Sequence, residues 1–370
     1  MDERIIKLAK NLVHYSTKVQ EGEKVYLEYS GEESLPLVRQ LIKEIYNVKG
    51  IPIVRTTNTS VLREVLLGSE KEQMDLMAKA DSVLMNNVDC YIGIRAKLNS
   101  CELADVPTEK LNLYNNFYVK PVHLQIRLSK KWCILGYPNY SVAQSAATSL
   151  ESFEDFYYKV CNLDYEKMCK AMDSLVDLMD KTDKVRITGE GTDLNFSIKN
   201  IPAIKCCGEC NIPDGEVYTA PVKDSVNGVI SYNTPSIYNG FEYSNVRLVF
   251  ENGKIIEATA NDTEKINKVF DLDEGARYIG EFAIGVNPHI TKPMKDILFD
   301  EKIMGSFHFT PGASYKEAFN GNESALHWDL VCIQTEEYKG GCIYFDDVLI
   351  RQNGRFVLPE LECLNPENLM

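Results

Sequence analysis

The pattern of the chain changes once, near residue 184, and that change restricts the fold more than any single motif does. Before it, short apolar runs alternate with amphipathic stretches. Residues 2–17, 35–46 and 60–79 read as helices, and residues 24–29, 51–55, 89–94 and 131–135 read as strands. Strands separated by helices pair in parallel, because a parallel crossover needs a connection of about a dozen residues or more. After it, short strands are joined by tight turns. Asn252-Gly253 lies between strands at 246–250 and 255–258, and Asn353-Gly354 follows a strand at 342–350. Asn-Gly suits the turn of a two-residue hairpin, whose strands are antiparallel. A chain of 370 residues also exceeds what one core usually holds. The expectation is an α/β protein of two domains. Residues 1–184 form a doubly wound parallel-sheet domain that ends in a helical connection from about residue 141. Residues 185–370 form an α+β domain with a mixed or antiparallel sheet.

Charge and thiols exclude several classes of function. A net charge of -14 argues against a nucleic-acid binder, which needs a basic face. No run of 18 apolar residues is present, so no membrane span is expected. The first residues alternate charged and apolar side chains in the manner of a helix and unlike a signal peptide. Eleven cysteines, an odd number, read as reduced thiols in a cytoplasmic protein. The cluster Cys206-Cys207-Gly208-Glu209-Cys210 lacks a second ligand pair at zinc-site spacing and leads into a turn, so its thiols are read as packed side chains. The first strand is followed by Ser30-Gly31-Glu32-Glu33, which is acidic where a phosphate would need donors.

The chemistry concentrates late in the chain. Residues 305–329 hold His308 and His327, two of only five histidines, together with Tyr315 and Asp329. Imidazole and carboxylate suit zinc, cobalt or manganese. Residues 324–331 alternate like a strand, which would project His327 and Asp329 from one face and Leu326 and Trp328 from the other. A structural His-x-Asp pair is the plainer alternative. Three glutamates are candidates to join them. Glu216 follows a Pro-Asp-Gly turn, where a solvated acid is common. Glu281 stands within an apolar run over 278–286, where a carboxylate is costly unless it is paired or bound to metal. An ion pair with Arg277 is the ordinary explanation. Glu301 precedes the segment that carries His308. No His-Glu-x-x-His and no Gly-x-Ser-x-Gly occurs, which argues against single-zinc helix proteases and serine hydrolases.

Four segments, in order over residues 211–329, together resemble the metallo-aminopeptidases of the aminopeptidase T and aminopeptidase S group. They are Asn211-Ile-Pro-Asp-Gly-Glu216-Val-Tyr-Thr-Ala-Pro221, Gly280-Glu281 with Gly285-Val-Asn-Pro288, Phe299-Asp-Glu-Lys-Ile303 leading to His308, and Asn322-Glu-Ser-Ala-Leu-His327-Trp-Asp329. The resemblance implies two divalent metal ions, held by Glu216, Glu281, His308, His327 and Asp329. It implies Tyr315 as the active-site tyrosine and Glu301 as an acid near the site; the chemistry calls for one carboxylate to shuttle a proton, either Glu281 or Glu301. The resemblance further implies water-mediated removal of N-terminal residues from small peptides with a free N-terminus, by a homodimer. The residues alone leave open another two-metal amidohydrolase or a non-enzymatic ligand-binding α/β protein.

Overall fold

The computed structural model describes residues 2–99 and 101–370. The chain forms two compact units. The first comprises residues up to Asn162 together with Gly208–Pro213, and the second comprises Leu163–Cys207 and Asp214–Met370. The division therefore falls between Asn162 and Leu163, and not after residue 184. The helix Tyr165–Met179 belongs to the second unit, where it buries Met168, Met172, Leu175 and Met179. Its apolar stripe was readable, but a stripe does not say which domain it faces.

The first unit is built on a five-stranded sheet with the order 51–57, 24–30, 90–95, 131–136, 211–212. All four of its strand pairs are parallel. The opening helix Glu3–Lys10 begins at Asp2, whose side chain accepts from the Arg4 N–H, and it buries Ile5, Leu8 and Ala9. The following turn, Asn11–Ser16, is wound as a π-helix and buries Leu12 and Val13. The single helix expected over 60–79 is two helices, Thr59–Gly68 and Lys71–Asn86. Gly68-Ser69 interrupts it, because neither residue favours a helix interior and Ser69 turns its hydroxyl back onto the Leu66 carbonyl.

The second unit holds an eight-stranded sheet, a two-stranded ribbon and a five-stranded sheet. Among the described residues, all of its strand pairs are antiparallel. The stretch 342–350 is itself a hairpin, Gly341–Phe345 and Val348–Gln352, turned at Asp346 and Asp347 with positive φ at both. The five-stranded sheet runs in the order 331–333, 306–311, 279–285, 216–219, 204–206. Its two central strands, Ile279–Gly285 and Ser306–Pro311, are buried along their whole length. On one face Phe282, Phe307 and Phe309 stack, and Phe196 from the larger sheet lies 5.0 Å from both Phe282 and Phe309. Each buried phenyl ring contributes roughly 1.5–3 kcal/mol. That aromatic layer is the floor behind the opposite face.

Among the described residues, no helix is long and apolar enough to cross a membrane.

Candidate metal centre

Strand register builds the site. Side chains directly opposite each other across an antiparallel pair share a face. His308 pairs with Ala283, Thr310 with Glu281, Tyr218 with Ala283, and Glu216 with Gly285. Glu216, Glu281, His308 and Thr310 therefore rise from one face, over the small residues Ala283 and Gly285, while the phenylalanines fill the other. The sheet bulges between Ile279 and Glu281. Gly280 sits at that bulge, and a Cβ there would lie 2.2 Å from the Ala313 carbonyl oxygen. The bulge sets the aim of Glu281.

The remaining groups arrive on the segment after the Ser306–Pro311 strand. Gly312 has φ +110, and a Cβ there would lie 2.1 Å from the Leu326 carbonyl oxygen. Residues 324–330 form no regular strand, yet they run antiparallel beside residues 309–313: Gly312 and His327 make a bridge, and Ala313 N–H, Trp328 N–H and Phe309 N–H donate to the Leu326, Pro311 and Leu330 carbonyls. The expected alternation of side chains is present nonetheless. Leu326 and Trp328 are buried. Trp328 packs between Tyr243 and Tyr238, 5.0 Å from each, and its Nε1–H donates to Ser236. His327 and Asp329 face the other way, with His327 Nε2 at 3.3 Å from Asp329 Oδ1.

These residues meet in one pocket. His308 Nε2 lies 2.9 Å from Glu281 Oε1 and 3.5 Å from Glu216 Oε2. His327 Nε2 lies 3.5 Å from Glu281 Oε2. One ligand atom each from Glu301, His308 and Asp329 also lies within 4.8 Å of the others. Glu216, Glu281, Glu301, His308, His327 and Asp329 are thus brought together. Tyr315 is at the rim, 48% exposed, with its ring 4.7 Å from that of His327. Arg277 does not pair with Glu281; it binds Asp271 at 2.6 Å.

Three partners escaped the sequence reading. Lys302 is 1% exposed, and its Nζ lies 3.0 Å from Glu216 Oε1 and 3.8 Å from Asp214 Oδ1, with Glu301 as a third partner. Asp214 is 2% exposed and had read only as part of a turn. Thr310 donates its hydroxyl to Asp329 Oδ1 at 2.7 Å. Lys302 stands beside Glu301 in a segment already singled out. A buried lysine there is legible only when its burial is known.

The acids and imidazoles of the pocket shift one another's protonation. Burial pushes the Glu281 carboxyl up, against the pull of His308. Burial pushes Glu301 up to about 8, against the pull of Lys302. Burial opposes protonation of His308, yet Glu281 and Glu216 raise it to about 9. His327 rises to about 10, since Asp329 and Glu281 outweigh its burial. Burial would raise Asp329, but His327, with His308 and the Thr310 hydroxyl, holds it below the usual carboxylate range. Glu216 Oε2, Glu281 Oε2 and His327 Nε2 are buried and make no hydrogen bond among the described residues. His327 Nδ1 donates to the Ala313 carbonyl at 2.8 Å, so that in the neutral ring the lone pair is on Nε2, on the side of Glu281 and Asp329. Imidazole and carboxylate donors with partnerless atoms fit a divalent cation.

Comparison with known proteins agrees. The sequence pattern of the thermophilic metalloprotease family (M29) matches residues 1–356. Aminopeptidase PepS of Streptococcus thermophilus is 26% identical over 374 residues, 89% of this chain and 88% of its own length. The structure of wild-type AmpT from Thermus thermophilus superposes with a TM-score of 0.80 at 20% identity, over 96% of this chain and 99% of that one. The structure of 2,5-dihydroxypyridine dioxygenase from Pseudomonas putida also shares the fold, with a TM-score of 0.62 at 14% identity, over 97% of this chain and 98% of that one. The fold is thus common to a peptidase and an oxygenase, and function rests on the family match and the site.

Proposed function

The chain belongs to the thermophilic metalloprotease family (M29), and from that premise we propose that it is an aminopeptidase working through two divalent ions. Membership removes the non-enzymatic alternative. The observation that carries the number of ions is the charge of the pocket. The cluster gathers five carboxylates, Asp214, Glu216, Glu281, Glu301 and Asp329, and one ammonium, Lys302, which stands beside Asp214, Glu216 and Glu301. With both imidazoles neutral, two divalent cations balance that charge and one does not. Buried charge left unbalanced is costly.

Glu216, Glu281, His308, His327 and Asp329 are the residues that would hold the ions, zinc, cobalt or manganese. When bound, such ions polarise a peptide carbonyl and bring the pKa of a water near neutrality. The chain does the rest. Thr310 fixes the Asp329 carboxylate, and the Ala313 carbonyl fixes the His327 ring. Glu301, the acid left free of the ions, takes the proton of the attacking water and returns it to the leaving nitrogen. The Tyr315 hydroxyl donates to the oxyanion that develops on the carbonyl. A free α-amine can pair with a carboxylate at the pocket or, as the neutral amine, offer its lone pair to an ion, and acetylation removes both the amine's charge and its lone pair. The odd number of cysteines supports a reducing compartment, the cytoplasm.

The test compares one peptide in free, N-acetylated and C-amidated forms, with products identified by mass. The free and amidated forms should lose residues one at a time from the N-terminus, and the acetylated form should be cut far more slowly. Internal cleavage of the acetylated peptide at a comparable rate would mean an endopeptidase.

A further inference from the structure

Lys302 is the feature of the pocket that peptide hydrolysis does not use. It is among the largest fully buried side chains, in a segment pinned by Lys302 N–H to the Phe299 carbonyl and by Asn287 N–H to the Lys302 carbonyl. A buried ammonium is costly unless each of its three N–H groups finds an acceptor. Here Glu216 Oε1 and Glu301 Oε1 accept, and Asp214 Oδ1 stands at 3.8 Å. Cys206 completes the surroundings. One ligand atom each from Cys206, Asp214 and Glu216 lies within 4.8 Å of the others, a donor set that suits a soft divalent ion.

We propose that Lys302 is a built-in cation that closes the Cys206–Asp214–Glu216 corner to metal and turns Glu216 toward His308. This rests on the two-ion reading above. Lysine is a compact point charge on a long stem, able to stand where an ion would. It holds Glu216 by Oε1, and Oε2 is then the atom that faces His308 at 3.5 Å. The corner differs from the rest of the pocket in having a thiol. Without Lys302, a third divalent ion would restore the charge balance if Cys206 bound it as a thiolate, since that step adds one negative and exchanges a single for a double positive charge. Lys302 is thus a positioning residue that sets how many ions the centre takes.

Cobalt is the probe, because a cobalt–thiolate bond adds a near-ultraviolet charge-transfer band that carboxylate and imidazole do not give. The wild-type chain should take up two cobalt ions per chain with no such band, and Cys206→Ser should leave that content unchanged. Lys302→Ala should take up a third ion and show the band, and Lys302→Ala/Cys206→Ser should lose both. Lys302→Arg, which keeps the charge, should stay at two. A folded Lys302→Ala chain that stops at two ions without the band would overturn the proposal. So would a band in the wild-type chain that Cys206→Ser abolishes, a result readable even if Lys302→Ala does not fold. A wild-type chain that binds no cobalt would overturn the two-ion reading, and this inference with it.

Discussion

Single atoms in this pocket carry separable roles, and two substitutions tell them apart. Thr310 touches the proposed centre only through Asp329, to which it donates at 2.7 Å. Thr310→Val keeps the β-branched shape and removes that donor. Metal affinity should fall about 10–100-fold, the usual cost of losing a hydrogen bond to a ligand, while turnover at saturating metal recovers. Metal titration followed by calorimetry measures this, and an unchanged affinity would mean that Asp329 needs no support. Tyr315 is half exposed and stands over His327 at the rim. Tyr315→Phe should lower kcat about 100-fold or more with metal content intact and stability within about 0.5 kcal/mol of the parent. A kcat near the parent's would remove the hydroxyl from the reaction.

Elements do what no residue does alone: the bulged strand Ile279–Gly285 brings Glu281 to the face where His308 and Glu216 stand. Gly280→Ala would drive a methyl group to 2.2 Å from the Ala313 carbonyl oxygen. The strand or the Tyr315 segment must then move. We expect a loss of stability of about 1–3 kcal/mol and a larger proportional loss of activity, read from thermal unfolding beside kcat. Retained activity in a destabilised chain would separate the bulge from the aim of Glu281. Much of this level was legible beforehand. Period and turn signals carried the parallel sheet of the first unit and the hairpins at Asn252-Gly253 and Asn353-Gly354. The alternation around His327 indicated the shared direction of His327 and Asp329, though not that the segment pairs without forming a regular strand. The helix interrupted at Gly68-Ser69 and the turn at Asp346-Asp347 were missed, because tertiary packing decides where a weak helix former or an unmarked turn takes effect. The site residues were visible as chemical types in suspicious settings and through a family resemblance. Lys302, Asp214 and Thr310 were not, since their importance lies in burial and distance.

The whole molecule combines a fold shared with an oxygenase and a pocket whose donors suit divalent metal. At this scale we also propose a homodimer, on the resemblance to the aminopeptidase T and aminopeptidase S group and on the prevalence of two-fold assemblies. Light scattering should give about twice the chain mass of 41.9 kDa, and a value near the single-chain mass across working concentrations would count against it. The central claim, that hydrolysis requires two divalent ions at the His308–His327 cluster, has one direct test. Metal-free chain is titrated with cobalt while release of an amino acid from its amide is followed. Activity should be absent at the start and rise to a plateau at two equivalents per chain. Full turnover by the metal-free chain, or a plateau at one equivalent, would contradict the account.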